Sequence, residues 1–153
     1  MRSLARWAIP VILLGGIAVI VGTHLAGQPR SPIVITRLYT RSDGQTHEDR
    51  MEIRLTASTL YSEAEASEAV KVSQAQFMRL PRGKVQDWHN PARRQYVVTL
   101  TGRGEVEIAG GQKIPISPGR VILLENVMGR GHITRSTGSE DLTFFVVPLA
   151  DQQ

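Results

Sequence analysis

An imidazole and a carboxamide in the middle of this chain are spaced so that one surface can present both. The segment Gly83 to Gly102 reads G-x5-H-x-P-x3-Q-x6-G, with His89 and Gln95 as its polar members. Imidazole binds divalent transition metals well, whereas a neutral amide oxygen is a weak ligand; both also form hydrogen bonds. Side chains alternate along a strand, so residues separated by an even number of positions share one side of an extended segment. Five odd-numbered residues of equal parity would share a side in this way: His89, Pro91, Gln95, Val97 and Thr99.

The elements that must position these side chains are predicted to be strands. Apolar runs are short and are broken by Gly, Pro, Ser or Asn, which favours an all-β fold. Ile33–Thr40 is predicted to be a strand, and residues 51–55 alternate as a half-buried strand does. From Val70 onward, seven to nine short strands predict a sandwich or small barrel. Residues 59–69 are expected to form a short surface helix or a mobile insert.

The spacing around His89 resembles the first motif of the cupin superfamily, G-x5-H-x-H-x3/4-E-x6-G. Every interval is kept, but Pro91 stands at the second histidine position and Gln95 at the glutamate position. In cupins this motif holds a divalent metal inside a small antiparallel β-barrel. The resemblance therefore implies the frame of a metal site in which two of the three ligand positions are substituted.

A looser match to the second cupin motif runs from Gly119 to His132. Its histidine comes two residues late, Glu125 stands at its proline position, and Ser136 stands at its last asparagine position. The flanking segments are similar to a group of small bacterial cupins in which arginines and a glutamine occupy the region of the metal-binding glutamate. The resemblance covers residues 33–148 and implies a cupin-like antiparallel β-barrel, or jelly roll.

The resemblance also implies which residues form a site in the barrel. The expected ligand-binding residues are His89, Arg94, Gln95 and His132. If a metal is bound, the expected ligands are His89, Gln95 and His132, and the expected metals are Fe(II), Mn(II), Ni(II) and Zn(II). Because one histidine is missing, a barrel without a cofactor, in which the histidines only form hydrogen bonds, is the leading expectation. An arginine at a cavity mouth can bind a carboxylate or phosphate through two parallel hydrogen bonds. An anionic small molecule is therefore one candidate ligand.

Glu125 has two interpretations at this stage. It follows an apolar strand, where burial would raise its pKa toward neutrality and make it a general base. Alternatively, it faces a turn and pairs with Arg130. Trp88 and Tyr96 flank the first motif and are expected in the cavity wall or the core.

The start of the chain carries an apolar stretch. Residues 7–25 are almost continuously apolar and follow Arg2 and Arg6, which is the layout of an export signal or an N-terminal anchor. Together with its neighbours the stretch approaches the roughly 20 residues that span a bilayer. Cleavage after Ala26 would place His24 where a small residue is wanted, so an uncleaved anchor is favoured over a cleaved signal.

These observations divide the chain into four parts. We expect a hydrophobic helix as anchor or signal at residues 1–27, a linker at 28–32, the barrel at 33–148 and a tail at 149–153. The membrane contact would be made by residues 7–26. The expected location is the bacterial inner membrane with the barrel in the periplasm, or the periplasm after signal cleavage.

Composition excludes several classes of function. The chain has 18 basic and 14 acidic residues but no basic stripe with interleaved aromatics, so no nucleic-acid partner is expected. Cysteine is absent, which excludes disulfides and thiolate metal sites. No Ser/His/Asp order, P-loop, dinucleotide fingerprint, HExxH or CxxC motif supports a hydrolase or a nucleotide enzyme.

Three functions remain open. The first is a membrane-anchored or exported cupin-domain protein that binds a small molecule at a degenerate metal site. The second is a metal-dependent cupin enzyme, a dioxygenase or an isomerase. The third is a non-catalytic scaffold of the cell envelope. The resemblance also allows a homodimer, since cupins frequently dimerise through sheet faces.

Overall fold

The computed structural model describes residues 30–150, and this part of the chain is built almost entirely from strands. It contains twelve strands and one short 3₁₀ turn at Ala109–Gly111. The strands are β1 (Ile33–Thr40), β2 (Thr46–Ile53), β3 (Thr56–Ala57), β4 (Glu65–Ala66), β5 (Gln76–Leu80), β6 (Val85–His89), β7 (Gln95–Thr101), β8 (Gly104–Glu107), β9 (Lys113–Ile116), β10 (Val121–Glu125), β11 (His132–Ser136) and β12 (Leu142–Pro148). The all-β prediction is confirmed.

The expected hydrophobic N-terminal helix, at residues 1–27, lies outside the described residues. So do the first two residues of the expected linker and the last three of the tail. Between residues 30 and 150, no helix has the length and apolar character needed to cross a membrane.

The strands form two main sheets and one small hairpin. The larger sheet has the order β2-β1-β10-β7-β12-β5, the smaller has the order β6-β11-β8-β9, and β3 pairs with β4 alone. All these pairs are antiparallel except β1 with β10, where Thr36 lies opposite Ile122 in a parallel register. The expectation of a purely antiparallel fold is wrong at this pair. Since β1 and β7, the two neighbours of β10, run in opposite directions, β10 must be parallel to one of them.

The main core lies between the two large sheets. Along β12 every second residue from Leu142 to Pro148 is buried, and β9 buries alternate residues in the same way. This alternation turns one face of each strand toward the opposite sheet. The buried members come from both sheets: Leu38, Val106, Ile108, Ile114, Ile116, Ile122, Leu124, Leu142, Phe144 and Val146. Burial of each large side chain contributes roughly 1.5–3 kcal/mol.

A second, smaller apolar cluster occupies the outer face of the larger sheet. Ile35, Leu123 and Leu149 are its buried members, and Tyr96 and Val121 pack against them. Strands β1, β7 and β10 therefore carry apolar side chains on both faces, and Tyr96 lies in a core rather than on the cavity wall.

Of the two structures expected for residues 59–69, the surface helix does not form. The Ser58 Oγ accepts hydrogen bonds from the backbone N–H groups of Leu60 and Tyr61, which starts a single turn. Glu63 then adopts a left-handed conformation with φ of 61°, and the Ser58 N–H donates to the carbonyl of Ala64. A left-handed residue cannot continue a right-handed helix, so the chain closes a loop instead.

Candidate functional site

A cavity of about 200 Å³ lies between the two large sheets. Its polar wall consists of Gln86, His89, Gln95, Thr99, His132 and Thr134. The rest of its wall is apolar: Met78, Pro91, Val97, Val106, Ile116, Ile122, Leu124, Phe144 and Val146. An engineered protein cavity of about 150 Å³ holds benzene. The cavity therefore has room for a molecule built on one small ring.

The five residues of equal parity all reach this cavity, although the segment is not one strand. Strand β6 ends at His89 in the smaller sheet, and β7 begins at Gln95 in the larger sheet. Pro91 is buried in the connection between them. The five side chains share this space although the expected single extended segment does not form, because two strands from facing sheets both turn toward the space between them.

The two histidines face each other across neighbouring strands. His89 and His132 are Cα partners in the β6–β11 pairing, and their ring centroids are 4.4 Å apart with an angle of 56° between the planes. Gly131 permits this approach: its φ is +78°, and a Cβ at this position would lie 2.1 Å from the carbonyl oxygen of His89. A glycine is therefore required directly before His132.

A buried hydrogen-bond network fixes the orientation and the tautomer of His132. Asn126 Nδ2 donates to His132 Nδ1 at 2.9 Å and to Thr46 Oγ1 at 3.3 Å, and Thr46 Oγ1 donates to the Gly131 carbonyl at 2.8 Å. The Thr46 hydroxyl hydrogen is already given to Gly131, so the amide group facing Thr46 must be the NH₂. His132 Nδ1 is therefore an acceptor, and the neutral ring carries its hydrogen on Nε2.

Burial keeps His132 in this neutral form. The residue is 2% exposed, and Asn126 and Thr46 are no more exposed than it is. Removal from water disfavours the imidazolium, and the neighbouring His89 adds repulsion; together they lower the pKa of His132 from 6.5 to about 3. At neutral pH, His132 is an uncharged hydrogen-bond donor.

His89 is held with the opposite tautomer. Its Nδ1 lies 2.7 Å from the backbone carbonyl oxygen of Asp87, which can only accept a hydrogen bond. Nδ1 therefore carries a hydrogen, and in the neutral ring Nε2 has a free lone pair. The cavity wall thus presents one imidazole donor and one imidazole acceptor.

The residues present do not fit the divalent metal that the resemblance implies. His132 Nε2 carries a hydrogen and has no lone pair for a metal, and Pro91 has no ligand atom at all. The His89 Nε2 and the Gln95 amide oxygen remain, fewer than the three protein ligands that catalytic metal sites usually supply. In residues 30–150, no group of three or more His, Cys, Asp or Glu side chains could hold a metal ion. The assignment of His89, Gln95 and His132 as metal ligands stays a prediction without support from the geometry.

Arg94 does not reach the cavity, contrary to its expected place in the ligand site. Because Gln95 points inward, the residue before it points to the other side of β7. There the Arg94 guanidinium binds Glu125, and its side chain is 48% exposed. The structure therefore brings together His89, Gln95 and His132, and separates Arg94 from them.

Glu125 is an ion-pair partner, and both sequence interpretations of it are wrong. Burial alone would raise the pKa of Glu125, but hydrogen bonds from Arg37 and Arg94 outweigh it and lower the pKa below the ordinary value. The Arg37 Nε lies 2.5 Å from Glu125 Oε2. Arg130 does not pair with Glu125; its guanidinium lies 4.2 Å from the ring centroid of Trp88. A carboxyl with a lowered pKa is a poor general base at neutral pH.

Sequence reasoning missed Asn126 and Thr46, which determine the tautomer of His132. One signal was present: Asn126 directly follows β10, at the start of the segment that leads to His132. Nothing local marks Thr46, since it lies far away along the chain and meets Asn126 only through the fold.

The comparisons with known proteins give structural neighbours only. No family model and no curated protein matches this chain. Cupin-domain proteins are among the similar solved structures. One is a cupin 2 conserved barrel domain protein from Salinispora arenicola, with 18% identity, 50% of this chain and 61% of that chain covered, and a TM-score of 0.42. Another is an RmlC-like cupin family protein from Methanocaldococcus jannaschii, with 16% identity, 58% and 85% covered, and a TM-score of 0.42.

A third structure is a predicted oxalate decarboxylase from Thermotoga maritima, with 23% identity, 76% of this chain and 94% of that chain covered, and a TM-score of 0.42. This chain spans less than two thirds of the length of the Salinispora protein. A TM-score of 0.42 is too low to establish a shared fold, so the two-sheet architecture described above rests on strand order and register alone.

Proposed function

We propose that this chain is a cupin-like protein that binds a small molecule in the cavity between its two sheets, in contact with His89, Gln95 and His132. The observation that carries the proposal is the cavity itself. An apolar wall with a few convergent polar groups is the usual composition of a ligand pocket. Binding without a reaction is proposed. The two histidines are the only titratable side chains among the described residues that line the cavity, and His132 stays neutral.

We further propose that residues 7–26 hold the protein at the bacterial inner membrane with the barrel in the periplasm, or direct its export before cleavage. The support is the apolar run behind Arg2 and Arg6.

Sedimentation of the purified chain tests the homodimer that the resemblance allows.

A thermal-shift screen of neutral and charged one-ring compounds against the full chain tests the binding function. A compound at 100 times its Kd stabilises the folded state by about 2.7 kcal/mol. We expect at least one compound to raise the Tm, and we expect Val97→Phe to abolish the effect because the larger ring fills the cavity. Val98→Phe is the matched control, since Val98 points to the opposite face of β7.

Two results would refute the binding function. One is a screen in which no compound raises the Tm, which would favour the scaffold role. The other is a rise in Tm that persists in Val97→Phe, which would place the ligand elsewhere on the protein.

A further inference from the structure

The two imidazoles on the cavity wall have opposite hydrogen-bonding polarity, and the framework around them fixes it. Asn126 occupies Nδ1 of His132 and leaves Nε2–H as a donor. The Asp87 carbonyl occupies Nδ1 of His89 and leaves the Nε2 of its neutral ring as an acceptor. With ring centroids 4.4 Å apart, a single small molecule can contact both rings. The wall therefore favours a ligand whose acceptor and donor are adjacent.

The cavity offers no fixed charge to an anionic ligand. Among the described residues on its wall there is no Lys, Arg, Asp or Glu. Arg94, the expected anion contact, is bound to Glu125 on the other side of β7. Moving a carboxylate from water into such a space costs free energy that no Lys or Arg on the wall offsets. An anionic ligand is therefore disfavoured.

We propose that the cavity binds an uncharged one-ring compound with an adjacent hydrogen-bond acceptor and donor, as in a cyclic amide. The acceptor of the ligand faces His132 Nε2–H, its donor faces His89 Nε2, and its ring packs against apolar residues such as Val97 and Phe144. This inference rests on the proposed binding function and narrows its ligand class.

The first test measures the two tautomers directly. The full chain, labelled with ¹⁵N-histidine in lipid nanodiscs, is examined by long-range ¹H–¹⁵N correlation at neutral pH. We expect His132 with its hydrogen on Nε2 and His89 with a hydrogen on Nδ1, and His132→Gln and His89→Gln identify the signals. A His132 hydrogen on Nδ1 would overturn the proposal, because Nε2 would then be an acceptor.

The second test compares two probes of similar size in the same nanodiscs, with empty nanodiscs as the blank. 2-Pyridone is neutral and carries adjacent acceptor and donor atoms, whereas benzoate is an anion with acceptors only. We expect 2-pyridone to bind at least about tenfold more tightly, which corresponds to about 1.4 kcal/mol. Equal or tighter binding of benzoate, lost in Val97→Phe, would refute the ligand class and leave the binding function intact. Failure of both probes and of the whole screen would refute both proposals.

The third test reverses the polarity of His132. In Asn126→Asp a carboxylate accepts the hydrogen bond from His132 Nδ1–H, so Nε2 loses its hydrogen and becomes an acceptor. We expect the ¹⁵N signals of His132 to change tautomer and 2-pyridone to bind at least about tenfold more weakly. Gln76→Glu makes the same charge change on the exposed strand β5. It should leave the tautomer of His132 and the binding of 2-pyridone unchanged.

Unchanged 2-pyridone binding in folded Asn126→Asp with the reversed tautomer would overturn the proposal. If Asn126→Asp does not fold, the tautomers of the unsubstituted chain and the two-probe comparison decide the outcome without it.

Discussion

At the scale of single residues, a half-buried acid, Glu125, and a buried base, His132, are each held in one protonation state by their neighbours. Glu125, with a side chain that is 12% exposed, is ionised because Arg37 and Arg94 both bind it. His132 is neutral because it is removed from water and because Asn126 donates to its Nδ1. The ionised Glu125 and the neutral His132 both depend on hydrogen-bond partners from other strands or loops. Replacing either residue, or changing its protonation, should therefore change the free energy of unfolding measurably.

Glu125→Gln should destabilise the fold by roughly 1–3 kcal/mol, since two charge-assisted hydrogen bonds are weakened or lost. Chemical denaturation at pH 7 measures the free energy of unfolding, and the exposed Glu140→Gln serves as the charge control. Because the pKa of Glu125 is lowered from 4.5 in the folded state, its contribution is present above pH 4.5 and is lost as the pH falls through the folded-state pKa. An equal loss of unfolding free energy in Glu125→Gln and Glu140→Gln would show that the hydrogen bonds from Arg37 and Arg94 to Glu125 do not stabilise the fold.

His132 should make the fold sensitive to acid over a different range. Unfolded His132 binds a proton near its ordinary pKa of 6.5, whereas the folded residue excludes it until about 3. The unfolded state thus binds more protons in this window, so stability falls as the pH is lowered from 6.5 toward 3. His132→Gln should flatten this dependence, measured as the midpoint of chemical denaturation against pH. The half-exposed His47 is the control, and a His47→Gln effect as large would contradict the assignment to His132.

The site was only partly accessible to prediction at this scale. His89 and Gln95 both line the cavity, as their numbering suggested, but they lie on strands of facing sheets, so alternation along one strand is not the reason. The role of Arg94 was predicted wrongly even though the same parity separates it from Gln95; its partner Glu125 is distant along the chain. Asn126 was missed because tautomers depend on contacts that only the fold creates.

At the scale of elements, the pairing of β6 with β11 brings the two histidines together. Gly131 allows the backbones to approach where its missing Cβ would meet the His89 carbonyl, and its positive φ turns the chain into β11. The register shifts between His132 and Thr134, so the histidines sit at the end of the pairing where the strands are least regular. The geometry of the site therefore depends on one glycine.

Gly131→Ala should destabilise the protein far more than Gly83→Ala. Both glycines have positive φ, so each substitution imposes backbone strain of roughly 1–2 kcal/mol. At Gly83 nothing lies within 4 Å of the added Cβ, whereas at Gly131 the His89 carbonyl oxygen is 2.1 Å away and must move. The Tm of the two variants, with the ¹⁵N signal of His89 as a local probe, measures the difference. An equal loss of Tm in the two variants would mean that β6 and β11 can move apart at Gly131 without loss of stability.

The strands themselves were largely predictable, but their partners were not. Ile33–Thr40 forms a strand with the predicted bounds, and the chain after Val70 contains eight strands, within the predicted seven to nine. The parallel pairing of β1 with β10 was not predicted, because pairing depends on chain reversals between distant strands. For residues 59–69 a surface helix was one of two predictions, and the left-handed Glu63 excludes a helix there.

At the scale of the whole molecule, the chain divides into two units after Arg30, of which the second, Ser31–Gln153, is compact. The second unit contains all twelve strands, both apolar clusters and the cavity. A unit with its own core has what it needs to fold independently.

The fragment Ser31–Gln153 should therefore fold alone, with a cooperative thermal transition at the same midpoint as that of the full chain. Circular dichroism in the far and near ultraviolet measures both secondary structure and tertiary packing. A fragment without a cooperative transition would contradict the division into units.

The same pair of proteins tests the membrane proposal. After expression in a bacterium, the full chain should sediment with the membrane fraction and resist extraction by high salt, and the fragment should stay in the supernatant. Full-length protein found only in the supernatant at its complete mass would refute an anchor in residues 7–26.

The position of β5 has a consequence for how a ligand would enter and leave. Within residues 30–150, β5 ends the larger sheet and is hydrogen-bonded to β12 along one edge only, yet its Met78 forms part of the cavity wall. A strand secured on one side separates at lower free energy than one secured on both. The backbone amides of β5 should accordingly exchange with deuterated solvent sooner than those of β12, and the residence time of a bound molecule would follow the rate at which this outermost strand detaches.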